Sequence, residues 1–363
     1  MMERIVVFVK DLASGGAEKQ AALLAKIMSC RYESHVIIFN GLKKNGGRET
    51  DTKNLAILDQ GPINVHYLDG GFVSRFRQLT RLLKTLQPVA VFSYLTGANA
   101  IAAAGGKIAK VKVVSGLRNA YLSKPKLIAD RIITNRLSTA TISNSYAGKD
   151  VFVSKGFRSD KITVITNVLD NISADTPQRN AANDTVKIIS VGRFVPDKDY
   201  DTAIKSVAIA RKLNSAIRYE IVGYGILETE IREAVKEAGI EDITTISINP
   251  TDIPQRLLNA DIYLSTSINE GTSNAVMEAL NAELPVIATN VGDNARLVED
   301  GSNGYVTDVK AIDDISRHII QLAGDAALRT KMGRRGKELL RRHHSPEAFL
   351  EAYTSFINKL CAK

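Results

Sequence analysis

The sequence has no tryptophan and only two cysteines in 363 residues, and no apolar run reaches the roughly 18 residues that a membrane-spanning helix needs. Each shortage excludes something. Cys30 and Cys361 stand near opposite ends in no ligand-like spacing, so neither a disulfide framework nor a metal cage is indicated, and reduced thiols are expected. The start, MMERIVVFVKDL, is too short and too quickly polar for a secretory signal, which makes a cytoplasmic protein the expectation. Without tryptophan, a base-reading motif or a basic run interleaved with aromatics, nucleic acid ranks lowest among partners. No short internal repeat or low-complexity tract is visible.

Charge is present and uneven. Through Asp170 there are 25 Lys and Arg against 12 Asp and Glu, a net +13, whereas the remainder carries 23 against 27, a net −4. Clustered cations suit anionic lipid or an acidic polymer, and they also suit a merely solvated basic face.

A chain of this length exceeds what one hydrophobic core usually serves, so two domains are expected. Short Val- and Ile-rich runs alternate with helical patterns: RIVVFV, SHVIIF, INVHYL, PVAVFSYL, KVKVVS, TATISNS and KITVIT in the first half. Residues 171–185 are polar and aperiodic and read as a linker. The alternation then restarts with VKIISVGR, RYEIVGYG, ITTISI, ADIYLSTS, LPVIATN and NGYVTD. This is the βαβ signature of two doubly wound α/β domains, 1–170 and 186–345, and tandem domains of that kind are expected to face each other across a cleft. The closing segment from Ile312 reads as nearly continuous helix with a break near His344-Ser345-Pro346.

In parallel sheets ligands bind beyond the carboxyl ends of the strands, so the post-strand loops are the places to search. The first strand ends in VKDLASGGAEKQ, where Gly15 and Gly16 open a helix near Ala17 and offer either a ligand cradle or a tight turn. In SVGRFVPDKDYDT, Gly192 and Arg193 stand at a strand tip and Lys198 precedes the next helix. A guanidinium and an ammonium five residues apart can converge on one diphosphate, or bond to Asp197 or Asp199 on a plain surface turn. Further on, NEGTSNAVMEALNAELPVIAT follows a strand expected to run to Ile268. Glu270 would sit at that strand tip and Glu278 on the helix. Eight helical residues would separate them by about 12 Å, too far to share a proton but suited to separate hydroxyls of one extended ligand. The N–H groups of Gly271, Thr272, Ser273 and Asn274 would face the same space and suit a phosphate or sugar oxygen. Acids for hydroxyls and amides for phosphate describe a nucleotide sugar; Glu278 on a solvated face and Glu270 in a loose turn is the plainer alternative.

Taken together, SGGAE, VGRFVPDKDY, VGYG, EGTSNAVMEALNAELPVIAT with its ExxxxxxxE frame, and NVGDNARLVEDGSNGYV resemble the retaining nucleotide-sugar glycosyltransferases of family 4. The resemblance covers essentially the whole chain in order. It implies the GT-B architecture, two Rossmann-like domains facing across a cleft, with the final helix, Pro346 to Leu360, packed back on the first. It also implies that Arg193, Lys198 and Glu270 carry the chemistry. Arg193 and Lys198 would hold the donor diphosphate, Glu270 the transferred sugar, Glu278 the ribose, and Gly223 to Gly225 would lie near the nucleotide. Many relatives present a first-domain histidine near the sugar, but His35 and His66 fall inside expected strands. SYLTGAN and SGLRNAY stand where it might be sought, leaving Tyr94, Thr96, Asn99, Arg118 and Asn119 as contacts to sugar or acceptor.

The implied reaction transfers a hexose-type sugar from a UDP- or GDP-sugar to a lipid-linked or saccharide acceptor with retention. It needs no cofactor and no metal, and the setting would be bacterial surface-polysaccharide assembly at the inner face of the membrane. The alternatives are a sugar-nucleotide epimerase or hydrolase on the same fold, or a non-catalytic sugar-nucleotide or polysaccharide binder.

Overall fold

The computed structural model describes residues 2–13, 15–41, 52–118, 122–172 and 185–362. Asn119 and most of the expected linker lie outside them. The chain divides into two compact units, Met1–Asp170 with Pro346–Lys363, and Asn171–Ser345.

In the first unit the strands are β1 (Arg4–Val9), β2 (Glu33–Ile38), β3 (Ile63–Tyr67), β4 (Ala90–Tyr94), β5 (Val113–Leu117), β6 (Ala140–Ser143) and β7 (Ile162–Val164). They form one parallel sheet in the order β3-β2-β1-β4-β5-β6-β7. The intervening helices are α1 (Gly16–Met28), α2 (Thr52–Leu58), α3 (Phe72–Leu86), α4 (Thr96–Ala109), α5 (Lys124–Ile132) and α6 (Tyr146–Ser154). Because successive strand residues point to opposite faces, the run RIVVFV feeds two cores. Ile5, Val7 and Val9 join Leu24, Phe92 and Tyr353 on one face, and Val6 and Phe8 join Ile37, Leu79 and Ala102 on the other. A wholly apolar strand is what a sheet covered on both faces requires.

The second unit repeats the plan with β8 (Val186–Arg193), β9 (Ile217–Tyr224), β10 (Thr244–Ile248), β11 (Ile262–Ser265), β12 (Val286–Thr289) and β13 (Gly304–Thr307), in the parallel order β10-β9-β8-β11-β12-β13. Its helices are α7 (Tyr200–Leu213), α8 (Glu228–Glu237), α9 (Ile253–Leu258), α10 (Asn274–Asn281), α11 (Asn294–Leu297), α12 (Ile312–Gly324) and α13 (Ala326–His344). The last helix, α14 (Pro346–Cys361), belongs to the first unit, where Phe349, Tyr353, Phe356, Ile357 and Leu360 are buried.

Two boundaries differ from the expectation. The closing helical segment is also broken at Asp325, whose carboxylate accepts the Leu328 N–H at 2.8 Å and so caps α13. Strand β11 stops at Ser265, not Ile268. The Thr266 hydroxyl donates to the carbonyls of Lys198 (3.1 Å) and Asp199 (2.8 Å), which draws the chain off the sheet edge toward a neighbouring loop.

Strand order reverses between β1 and β4 in one sheet and between β8 and β11 in the other. At such switch points the loops after the two central strands leave in opposite directions and open a crevice.

Candidate active site

At the switch point of the second unit, β8 leads into the single turn Pro196–Lys198, and β11 leads into the segment that carries Glu270. Backbone and hydroxyl bonds fasten the two together. Besides the Thr266 bonds, the Ile268 N–H donates to the Asp197 carbonyl at 2.9 Å. The Lys198 ammonium then meets the Glu270 carboxylate in an ion pair whose side chains are 21% and 13% exposed, shielded yet reachable. The Ser267 hydroxyl donates to the same carboxylate oxygen at 3.0 Å. Lys198 therefore bonds neither Asp197 nor Asp199 as a surface turn would suggest. Asp199 takes a left-handed backbone, φ +45, and receives the Thr202 hydroxyl at 2.7 Å.

Beneath the pair lies a narrow recess lined by Ser190, Lys198, Tyr200, Tyr263, Ser267 and Glu270. Tyr200 donates to the Gly192 carbonyl at 3.0 Å and Tyr263 to the Val191 carbonyl at 3.2 Å. Burial first, then neighbouring tyrosines and the Glu270 charge, pushes both phenols far above their ordinary pKa. The floor is thus neutral and hydrogen-bonded, and the charge sits at the rim.

The geometry expected for the two glutamates is corrected. Helix α10 begins at Asn274, with Ser273 as its cap accepting from the Val276 N–H at 3.5 Å. Glu270 lies before that helix, so the helical rise does not set its distance from Glu278. Thr272, Asn274 and Glu278 each already have an interaction within the protein.

What holds the Glu270 turn is a segment to which the sequence reading assigned no role, NVGDN. Gly292 has φ +58, and a Cβ there would overlap the carbonyl oxygens of Gly271 and Glu270. The Asp293 N–H donates to the Gly271 carbonyl at 3.0 Å, and the Thr289 hydroxyl donates to the Ser267 carbonyl. A third post-strand loop, after β12, therefore braces the second. Its Gly-Asp pair directly beyond an apolar strand was the signal available.

The remaining second-unit residues sit around this centre. Gly192 and Gly223 are register partners, and a Cβ on Gly223 would overlap the Gly192 carbonyl. Gly225 has φ +153 and packs against the Phe194 backbone. These glycines are required by the close approach of the β8 and β9 ends. Arg193 ends β8 exposed, and its side chain makes no ion pair or hydrogen bond among the described residues.

In the first unit the corresponding loops behave differently. Tyr94 is buried at the end of β4, with the Arg118 guanidinium 4.3 Å from its ring centroid and Arg118 Nη1 donating to Asn167 at 3.1 Å. Leu95 follows with φ +74 and ψ 149, a backbone region costing of order 1–3 kcal/mol for a non-glycine residue. The Thr96 hydroxyl donates to Asp130 at 2.7 Å. Asn99 is 0% exposed: its carbonyl oxygen accepts from Ser93 (2.8 Å) and the Gly116 N–H (3.3 Å), and its amide donates to the Gly116 carbonyl (3.1 Å). Asn99 is thus an internal brace, a correction to its expected place against sugar or acceptor. The buried Asp130 was missed by sequence; burial holds its carboxyl above the usual range against the bonds from Thr96 and Asn99. Asn119 lies outside the described residues. Gly15 caps α1 and Gly16 begins it, and a Cβ on Gly15 would overlap the Glu18 carboxylate. His35 and His66 lie in β2 and β3, with ring nitrogens 3.0 Å apart. Among the described residues no three of His, Cys, Asp and Glu gather as a metal site.

Residues 171–339, which hold the whole Lys198–Glu270 centre, match the family model "Glycosyl transferases group 1". A poly(ribitol-phosphate) alpha-N-acetylglucosaminyltransferase of Staphylococcus aureus is 27% identical over 177 residues, which are 48% of this chain and 36% of that protein. A Campylobacter jejuni 4-alpha-N-acetylgalactosaminyltransferase acting on a diphospho-undecaprenol saccharide is 24% identical over 326 residues, 85% of this chain and 87% of that one. The chain spans between about a third and three fifths of the length of the first curated relatives it matches. Among solved structures, Anabaena HepE in complex with UDP superimposes with a TM-score of 0.83 at 18% identity, over 98% of this chain and all of that one. Over residues 171–339, a little under half of its length, the chain is thus similar to the group 1 glycosyl transferases, and its two parallel-sheet units have the GT-B fold of its solved neighbours.

Proposed function

We propose that this protein is a retaining glycosyltransferase that moves a hexose-type sugar from a nucleoside diphosphate donor to a lipid-linked or saccharide acceptor in bacterial surface-polysaccharide synthesis. The observation that carries the reading is the Lys198–Glu270 pair at the strand-order reversal, fixed by bonds from three post-strand loops. Lys198 has a charge for a departing diphosphate, and the exposed Arg193 can swing to the same phosphates. Glu270 can exchange its lysine for sugar hydroxyls once donor phosphate neutralises that ammonium, and Glu278 takes the ribose.

As the sugar–phosphate bond loosens, negative charge gathers on the β-phosphate and positive charge on the ring. A cation already in place stabilises that distribution more than the ground state, which lowers the barrier. The departing phosphate oxygen accepts the acceptor's proton on the face it leaves, so configuration is retained without an enzymic nucleophile. With side-chain cations neutralising the leaving group, this account assigns no step to a divalent metal.

HepE crystallises with UDP and the Campylobacter relative is named for a lipid diphosphate saccharide, which supports a UDP-sugar donor and a lipid-linked acceptor as first choices. The test is a thermal-shift panel of UDP-, GDP- and ADP-sugars with and without EDTA, then nucleoside diphosphate release with and without a lipid-linked saccharide. One nucleotide class should raise Tm, by the equivalent of about 2.7 kcal/mol at 100 Kd, unaffected by EDTA. No shift with any nucleotide, or release that ignores the acceptor, overturns the proposal; the second result would mark a hydrolase or epimerase.

A further inference from the structure

The positive charge of the first half is concentrated in one stretch. Between Gly71 and Lys149 there are thirteen lysines and arginines and a single acid, Asp130. Asp130 is 3% exposed, so it offsets nothing at the surface. The stretch builds α3, α4 and α5, with α3 packed on α4 and α4 on α5, and α3 and α4 cover the sheet face whose core includes Val6, Phe8 and Leu79. Helices α1 and α14, on the opposite face, carry both signs of charge.

The outer side of α3, α4 and α5 shows exposed Arg77, Arg81 and Lys84, then Lys107, then Lys126 and Arg131. Among these cations stand large apolar side chains: Phe72 is 57% exposed, Val73 61%, Ile108 52%, Ile128 49% and Ile132 47%. A solvated helix face normally mixes charges of both signs and pairs them. Here one sign is missing and apolar bulk is left in water. A partner that removes both costs must supply negative charge at its surface and apolar depth just below it. Nucleic acid or an acidic polysaccharide supplies the first without the second, whereas an anionic lipid bilayer supplies both.

We propose that the face formed by α3, α4 and α5 docks on an anionic bilayer, the cations at the headgroups and Val73, Ile108 and Ile128 dipping beneath them. The docking stands on this face alone. It also gives the lipid-linked acceptor of the proposed reaction a membrane from which to be drawn.

The test sediments the full chain with vesicles of phosphatidylcholine alone and with one third phosphatidylglycerol. Binding should require phosphatidylglycerol and weaken in 0.5 M salt. The triple change Arg77→Gln, Arg81→Gln and Lys84→Gln should reduce partitioning on the order of a hundredfold. A separate pair, Val73→Ser with Ile128→Ser, should also reduce it while leaving the salt response in place. Equal binding to both vesicle types, or an unchanged partition in the triple variant, overturns the proposal. So does a serine pair that binds as wild type does, since the face would then be reading polyanions and not a bilayer. Both variants should keep the nucleotide-induced rise in Tm, so failure of docking is distinguishable from failure of the donor site.

Discussion

The two domains share one plan and use its switch point in opposite ways. Beyond β8 and β11 the charged side chains are brought to each other at a half-shielded surface, Lys198 on Glu270, over a floor of neutral phenols. Beyond β4, one of the two strands at the first unit's reversal, the polar atoms of Asn99 are bonded inside the domain, the Thr96 hydroxyl is given to Asp130, and the neighbouring cation, Arg118, lies on the Tyr94 ring. The same topology thus yields a half-shielded ion pair at the surface in one case and a closed polar brace in the other. The difference rests on which side chains the loops carry and on what holds the loops. In the second domain a neighbouring loop presses Gly292 and Asp293 against the Glu270 turn, leaving the carboxylate aimed at its lysine.

The largest effect should come from removing that charge. With Lys198→Ala, kcat for the proposed sugar transfer should fall about 10²–10³-fold, since the role proposed for that ammonium, neutralising a leaving diphosphate, is exerted chiefly in the transition state. Asn99→Ala, the matching change in the first domain, should cost stability before chemistry: it leaves the Ser93 hydroxyl and the Gly116 backbone groups unsatisfied, about 1–3 kcal/mol for such a loss. Steady-state kinetics beside denaturant melts separate the two. If Lys198→Ala kept wild-type kcat while Asn99→Ala lost it without loss of stability, the roles assigned to the two switch points would be reversed.

A second contrast lies within the second domain. Gly292 and Gly301 both adopt left-handed backbone, φ +58 and φ +72, yet a Cβ at Gly301 meets nothing within 4 Å whereas one at Gly292 overlaps the carbonyls of the Glu270 turn. Gly301→Ala should cost about 1 kcal/mol of backbone strain alone. Gly292→Ala should cost about 2 kcal/mol or more and weaken activity with it, because the turn must shift. Equal melting temperatures for the two variants would show that the brace after β12 does not hold the site.

Much of this was legible in the sequence, for a reason the elements make plain. The central strands RIVVFV and VKIISVGR are compact runs of Val and Ile because they are covered on both faces, whereas the edge strands INVHY and TTISI mix in polar residues where they are only half-buried. Lys198 and Glu270 stood out because they are charges on loops beyond strands. The errors arise where a local pattern is settled by distant atoms. A helical period carried back from Glu278 to Glu270 ignores that the chain is still a turn until Ser273, held there by Gly292 from a later loop. Asn99 reads like a ligand contact because an asparagine in the first turn of a helix after a strand looks the same whether it faces solvent or the Gly116 backbone. Asp325 was a readable stop, since a glycine followed by a capping acid ends one helix and begins the next.

The smallest expected effect again separates the domains, this time through acid. In the first, His35 and His66 stack with ring nitrogens 3.0 Å apart. Burial chiefly holds both imidazoles below their usual pKa; Glu33 works against this at His35, and the His35 charge adds to it at His66. In the second, His318 is also lowered chiefly by burial, but Asp300 and Asp314 pull it back. In the unfolded chain each histidine takes its proton near pH 6.5. A folded pKa below that value means stability is fully present above pH 6.5 and is lost as pH falls toward and through the folded pKa, because the unfolded chain binds more protons in that window. Melting temperature should therefore drop between pH 7.5 and 5.5. The double change His35→Gln and His66→Gln should flatten that slope more than His318→Gln does, since two mutually opposed rings are removed in place of one with acidic neighbours. A double variant whose Tm still falls as steeply as wild type would mean that the stacked pair protonates as readily folded as unfolded.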